Sequence, residues 1–501
     1  MATWVLTREE AMNQETILRK DLWKIVQAAL QAVSPEVCLR HGVALKGEQL
    51  VVKGQGIDLS RIQRVIVVGM GKASARMTAA LEGMLGARIS AGLVVTADGY
   101  GVATTMVEVV KAGHPIPDER GLAAAQRIAA LVASAGEEDL VIVLISGGGS
   151  ALFSLPAEGL TLSDLSRVNE LLLSSGATIQ EINTVRKHLS QVKGGQLARR
   201  AFPAQLLALV LSDVPGDPLD AIASGPTAPD PTTFVQAKQI LQHYGLWMKI
   251  PSPVRFHIED GLCGNVPETP KPGDPLFEQV SNVIVGSGTV AASAAQAEGE
   301  RLGYRTLLLT TSLEGEAREV GTNLASLARE VVHYGRPVQT PALILAAGET
   351  TVTVRGTGKG GRNQELVLSA ALGIDGLANV VIASLGTDGR DGPTDAAGGM
   401  VDGETVARMR AQGIDPGRAL ANNDAYTALQ GSGDLMMTGP TGTNVADLCF
   451  LIVGQTALRD PQERVNEQGN TQPSTKPRFN LRPFQTPHPA RPTPRSVVHR
   501  L

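Results

Sequence analysis

Apolar positions along the chain fall into two recurrent patterns. Over residues 8–33 they repeat with helical period, placing Ile17, Leu18, Leu22, Ile25, Val26, Ala29 and Leu30 on one stripe. Further on, short unbroken apolar runs alternate with helical stretches, and glycines separate them. "RVIVVGMGKASARMTAALEGML" reads as a strand ending at Gly69 and a helix from about Lys72. "AGLVVTADG" is the next strand, "GLAAAQRIAALVASA" a helix, "DLVIVLISGGGSALF" a strand, loop and helix start, and "AQLLALVLSDVPGD" a strand with an acidic end. Continuous apolar runs of this length are the pattern of parallel strands covered on both faces.

A Pro-rich connection, "PETPKPGDP" at 267–275, interrupts the alternation. It then resumes with "NVIVGSGTVAASAAQAEGERLG", "YRTLLLT", a helix over 314–334, "ALILAAGE" and "NVVIASLGTDG". The architecture repeats but the sequence does not. The prediction is an α/β protein of two domains, 1–275 and 276–454, each with a mostly parallel sheet flanked by helices. Residues 455–501 differ. They hold 8 prolines, and 8 Lys+Arg against 3 Asp+Glu, with almost no apolar periodicity, which predicts a disordered basic tail.

Composition narrows the function classes. A length of 501 residues suits two to three domains. The net charge of −4 lacks a basic nucleic-acid footprint, and 3% aromatics leaves little for base stacking. Cys38, Cys263 and Cys449 form no CxxC or zinc spacing, as expected of structural thiols in a reducing compartment. No apolar stretch reaches the ~20 residues of a membrane span. The acids of "MATWVLTREEAMNQETILRK" fit neither a signal nor a transit peptide. The expectation is a cytoplasmic protein without nucleic-acid or membrane partners; monomer and homodimer both remain open.

The glycine-rich loops carry the candidate chemistry. "GTGKGGRNQE", 356–365, is a bare cationic loop between a strand-like and a helix-like stretch. "GMGKAS", 69–74, follows a strand and opens a helix, where backbone N–H groups bind anions. It departs from the dinucleotide fingerprint at Ser74 and from the P-loop at Ile66 and Ala73, and a tight turn with a surface lysine explains it equally well. "SGGGSA", 146–151, leaves a ring of N–H donors suited to phosphate, or a plain connector. In "EINTVRKHLSQVKGGQLA" Asn183 and Lys187 share a helix face, which is also how a solvated basic face reads. Asp213 in "LSDVPGDPLD" and Asp388 in "LGTDGRDGPTD" stand just past strand ends, where open α/β sheets place ligands; other aspartates there read as turn residues. Thr443 and Asn444 in "GPTGTNVADL" suit a ligand or a helix cap. No Gly-x-Ser-x-Gly elbow, His-Glu-x-x-His or Cys–His signature favours a hydrolase.

Taken in order, "VVGMGKAS", "GHPIPDERG", "ISGGGSAL", "EINTVRKHLSQVKGGQLA", "LSDVPGDPLDAIASGPT", "GKGGRNQE", "SLGTDGRDGPTDAAG" and "GTNV" resemble the class II glycerate kinases, over roughly residues 10–452. These glycerate 2-kinases carry a C-terminal MOFRL-type domain, and relatives have also borne a hydroxypyruvate reductase name. The resemblance implies a larger Rossmann-like N-terminal domain, a smaller α/β C-terminal domain and an active site in the cleft between them. It implies an ATP- and Mg²⁺-dependent kinase converting D-glycerate to 2-phosphoglycerate. Lys72 and Arg362 match the family's motif cations, with Arg362 meeting charge on the transferring phosphoryl group. Asp213 and Asp388 are the candidates for metal ligand or proton acceptor. Gly69, Gly71, Ser146, Gly147, Gly148, Gly149, Ser150, Asn183, Lys187, Gly358, Lys359, Gly360, Gly361, Asn363, Thr443 and Asn444 are expected around nucleotide and substrate. The rival readings are an NAD(P)-dependent hydroxypyruvate or tartronate-semialdehyde reductase, supported by Gly69, Gly71 and Asp98, and a non-catalytic sugar-phosphate-binding module.

Overall fold

The computed structural model describes residues 8–455. The expected disordered tail lies outside them, apart from residue 455. A small antiparallel sheet of β1 (Val43–Lys46), β2 (Gln49–Val52) and β3 (Gln55–Asp58) precedes two six-stranded sheets.

The first large sheet holds β4 (Arg64–Met70), β5 (Ile89–Ala97), β6 (Glu108–Ala112), β7 (Asp139–Ile145), β8 (Gln205–Leu211) and β9 (Val280–Gly286). All neighbours pair in parallel, in the order β6-β5-β4-β7-β8-β9. The strand order therefore reverses between β4 and β7, and ligands bind outside the carboxyl ends of such a pair. The apolar runs are explained residue by residue. Val65 and Val67 point into one core with Leu140, Ile142 and Leu144, while Ile66 and Val68 point into another with Val141, Val143 and Ile145. The period of two is hidden because both faces are buried.

The second sheet holds β10 (Arg305–Leu313), β11 (Ala342–Gly348), β12 (Val380–Gly386), β13 (Gly398–Asp402), β14 (Leu435–Met436) and β15 (Asp447–Val453), in the order β10-β11-β15-β12-β13-β14. Only β10 and β11 pair in parallel; the other four pairs are antiparallel. The α/β class holds, but this sheet is mixed rather than mostly parallel. Its central strands are buried on both faces, like those of the first sheet. Continuous apolarity reports that burial and not strand direction, so the run pattern misleads here.

One buried cluster joins the two sheets. It combines Val67, Ile142 and Leu209 of the first with Leu345, Val381 and Phe450 of the second, and with Leu22, Ile25 and Val26 of the helix Arg8–Ala32. Ile17, expected on the apolar stripe, is 50% exposed. That helix is anchored beside the second sheet by Arg19, whose Nε and Nη2 donate to Asp402 and Asp434, each at 2.6 Å. The Pro-rich stretch 267–275 does not close the first sheet's sequence. β9, expected to open the second region, pairs instead with β8, because an apolar run does not encode which sheet edge it joins. The outer face of the second sheet is covered by the helices Ala317–Tyr334 and Arg362–Gly373. They approach so closely at Gly321 that a Cβ there would sit 2.1 Å from the Leu366 carbonyl oxygen.

Gly321→Ala is therefore expected to cost about 1–3 kcal/mol through overpacking against backbone that cannot yield. A urea titration checks this: the midpoint falls while the slope is unchanged.

Candidate active site

The loops at the carboxyl ends of β4 and β7 interlock. Gly71 takes a left-handed φ of 116°, and a Cβ there would come 2.3 Å from the Ser146 carbonyl oxygen. Lys72 N–H donates to Gly147 O at 2.8 Å, and Ala73 N–H to the Ser146 hydroxyl at 3.0 Å. The turn amides ahead of the helix Ser74–Leu85 are thus spent within the protein, and the turn presents the Lys72 side chain to the cavity.

Lys72 faces a cavity of about 530 Å³ built from both sheets. Its Nζ lies 3.2 Å from Asp388 Oδ2, beyond the end of β12. Asp213, beyond β8, accepts from Asn444 Nδ2 at 3.1 Å. Arg362 opens its helix and forks onto Asp447, the first residue of β15, with Nε–Oδ2 at 2.5 Å and Nη2–Oδ1 at 3.0 Å. Its Nη1 holds Glu349 Oε1 at 2.6 Å. The lining contains five carboxylates (Asp98, Asp213, Glu349, Asp388 and Asp447), three cations (Lys72, Arg362 and Arg390) and His114. Burial, then Glu349, pushes the Asp213 carboxyl up to about 6. Burial also raises Glu349 and Asp447. Burial, then the nearby Lys72 charge, lowers His114, which favours the neutral ring. A second cavity of about 220 Å³ shares His114 and Pro115 with the first and reaches Gly148, Ser150, Arg186 and Lys193.

Comparison with known proteins places this arrangement. A domain of unknown function, DUF4147, matches residues 21–259, and the MOFRL family matches residues 342–447. The chain is 45% identical over 431 residues to the glycerate 2-kinase of Pyrococcus horikoshii, covering 86% of this chain and 96% of that protein. The chain belongs to the glycerate kinase family. The crystal structure of Thermotoga maritima glycerate kinase matches it with a TM-score of 0.77 at 43% identity, covering 88% of this chain and 100% of that one. An Agrobacterium vitis protein bearing a provisional hydroxypyruvate reductase name is 45% identical over 393 residues, covering 78% of this chain and 87% of that protein.

In this glycerate kinase family member Lys72, Arg362, Asp213, Asp388 and Asn444 meet at the larger cavity. Gly148 and Ser150 line the smaller one. Other expected residues serve the scaffold. Gly69 allows strand packing, since a Cβ there would lie 2.8 Å from Leu144 O. Gly147 lets Asp213 and Asn444 pass over it, a Cβ being 2.2 Å from Asp213 Oδ2. Gly149 makes room for Ala223. Asn183 accepts from Ser224, which bonds Ser150. Lys187 is buried between Asp220 and Asp230, and Thr443 donates to Val33 O.

The glycine loop 356–361 holds anions of the protein itself. Gly358 N–H donates to Asn422 O, and Lys359 N–H to Asp424 Oδ1, each at 3.0 Å. The Lys359 ammonium lies 3.9 Å over the Tyr426 ring. Gly360 and Gly361 pack against Ala425 and Asp391. The helix start that would receive a phosphate receives Asp391, whose carboxylate accepts from Asn363 N–H at 3.1 Å and Gln364 N–H at 2.8 Å. Asn363 is buried and bonded to Asp391 and Ser384. Sequence reasoning missed Glu349, Asp447, His114 and Lys193. The first two carry a readable signal, an acid at the edge of an apolar run in "AAGET" and "VADLCFLIV".

Because the folded protein raises Asp213 above its ordinary 3.8, its contribution to stability is complete below that value and lost as pH rises through about 6. In metal-free buffer Asp213→Asn is expected to melt a few degrees higher than the parent at pH 8, with the difference vanishing near pH 4. Thermal melts of both proteins across that range check it.

Proposed function

We propose that this chain transfers the γ-phosphoryl group of ATP to D-glycerate, giving 2-phosphoglycerate and ADP. The observation that carries the reading is the convergence of Lys72, Arg362, Asp213 and Asp388 on one cavity, in a chain 45% identical to a glycerate 2-kinase.

The donor set fits Mg²⁺. Hard carboxylate oxygens outnumber the cations in the lining, and Asp213, Glu349 and Asp447 are all raised by burial. Among the described residues no three acids converge as a ready cage. Mg²⁺ characteristically takes only one or two carboxylates together with substrate phosphates. Asp388 would hold it, leaving Asp213 for the proton, and once bound it would neutralise charge on the phosphates.

The chain's own groups do the rest. Lys72 binds phosphate oxygens from the floor of the cavity. Arg362 keeps Asp447 and Glu349 in place, which revises the expectation of a free guanidinium aimed at the phosphoryl group. Asp213 takes the proton of the 2-hydroxyl as its oxygen bonds to phosphorus and the bond from phosphorus to the β–γ bridging oxygen breaks. A carboxylate near pH 6 suits that task better than an ordinary one.

The parallel order of the first sheet also hosts dinucleotides elsewhere, which would favour a reductase. Two contacts speak against it here. The Lys72 and Ala73 amides of the glycine turn, which would approach a pyrophosphate, are bonded to the loop after β7. Asp98, which would bind a ribose, is gripped by Arg120 at 2.8 and 3.0 Å.

Phosphorus NMR of the protein with D-glycerate, ATP and Mg²⁺ is expected to show 2-phosphoglycerate. A 3-phosphoglycerate signal would overturn the regiochemistry, and intact ATP would overturn the kinase. Lys72→Met should lower kcat about 10²–10³-fold with little loss of stability. Arg362→Met should also destabilise the fold, because it strands the buried Asp447 without its charged partner. Steady-state rates alongside thermal melts separate these two effects.

A further inference from the structure

We propose that Arg186 and Lys193 bind the carboxylate of the acid substrate in the smaller cavity, and that they thereby select acids over neutral alcohols. The inference rests on the kinase reading above and assigns its acceptor subsite.

The two cavities differ in charge. The larger has more carboxylates than cations, whereas the smaller is lined by Arg186 and Lys193 and, among the described residues, by no acid. An anionic acceptor is repelled by the first lining and attracted by the second. Size agrees with charge. Pockets for larger organic ligands run about 300–1,000 Å³, and a space of about 220 Å³ suits a three-carbon acid better than a nucleotide.

Each cation has binding capacity to spare. Arg186 Nε donates to Asn169 Oδ1 at 2.7 Å, and among the described residues its two terminal nitrogens have no acceptor. A free, planar pair of donors is the geometry that takes a carboxylate in two parallel hydrogen bonds. Lys193 is 3% exposed, and its ammonium donates to the carbonyls of Ser150 at 2.6 Å and Phe153 at 3.0 Å. An ammonium has a third donor, and among the described residues no carboxylate pairs with this one. Burial, then the nearby Arg186, holds Lys193 down to about 7; a bound carboxylate supplies the missing countercharge.

Local structure explains why these two residues and not their neighbours face the cavity. On the helix Ile179–His188 Arg186 lines the cavity, whereas Asn183 and Lys187 are used in internal contacts. Lys193 precedes Gly194 and Gly195, both left-handed at φ 55° and 78°, and its ammonium reaches the carbonyls of Ser150 and Phe153 at the Gly149–Leu152 helix. Because His114 and Pro115 border both spaces, an acid held by its carboxylate in the smaller one presents its hydroxyl to the larger.

The test is calorimetric titration of D-glycerate into the parent, Arg186→Gln and Lys193→Met, each with Mg²⁺ and a non-hydrolysable ATP analogue. Kinetics with D-glycerate and with its neutral carboxamide accompany it. Kd for D-glycerate is expected to rise about 10–100-fold in each variant, as for loss of a hydrogen bond to a charged group. Affinity for the ATP analogue should stay within about twofold. Discrimination between acid and carboxamide should shrink by a similar factor, which general damage to the fold would not produce. Arg186→Gln is the safer variant, since Lys193 is buried. Unchanged glycerate affinity in it, weakened ATP-analogue binding instead, or parallel loss for acid and carboxamide would overturn the assignment. Failure of the kinase reading shows separately, as glycerate binding by the parent without phosphoryl transfer.

Discussion

Both large sheets are buried on both faces, and this constraint governs where chemistry can occur. Their central strands contribute almost nothing but apolar side chains to three cores. Charged groups in such a framework are tolerable only where strands end and loops begin, since an ion within the layers would lose its hydration without compensation. The candidate site follows directly. Lys72 follows β4, Asp213 follows β8, Glu349 follows β11, Asp388 follows β12, and Asp447 begins β15. A single core shared between the sheets then holds these ends together.

Within the larger cavity the balance of charge is tuned by crowding as much as by pairing. Arg362 neutralises Asp447 and Glu349 by direct contact, and Lys72 does the same for Asp388. Among the described residues Asp213 faces no paired cation and accepts the Asn444 amide, so burial and the neighbouring Glu349 push its carboxyl up to about 6. The cavity is therefore poised for an incoming cation and for a proton in transit. The smaller cavity has the opposite bias, with Arg186 and Lys193 unmatched by an acid among the described residues. The two adjacent spaces thus carry opposite charge.

The glycine-rich loop 356–361 shows how a motif can be recognised correctly and its physics misjudged. Small residues there permit close packing of backbone against Asn422–Asp424 and Asp391. The helix that begins at Arg362 does receive an anion at its positive end, but the anion is the side chain of Asp391. Fixing the helix start in this way positions Arg362, so the loop acts on the site through its geometry.

The sequence by itself determined the class of the fold, the family through an ordered set of loops, and five loop and helix-start residues that line the larger cavity: Lys72, Asp213, Arg362, Asp388 and Asn444. These are local properties. An apolar run declares burial, and a glycine or acid at its end declares a turn or a ligand position. Tertiary structure alone decided the direction of the strands in the second sheet, because burial of both faces looks the same in either direction. It alone decided that Glu349 and Asp447 meet on Arg362, and that Asp391 fills the helix end, since these partners are separated by tens of residues. It also selected Arg186 over Lys187 on one short helix, because which face meets a cavity depends on the elements packed around it and not on the helix itself.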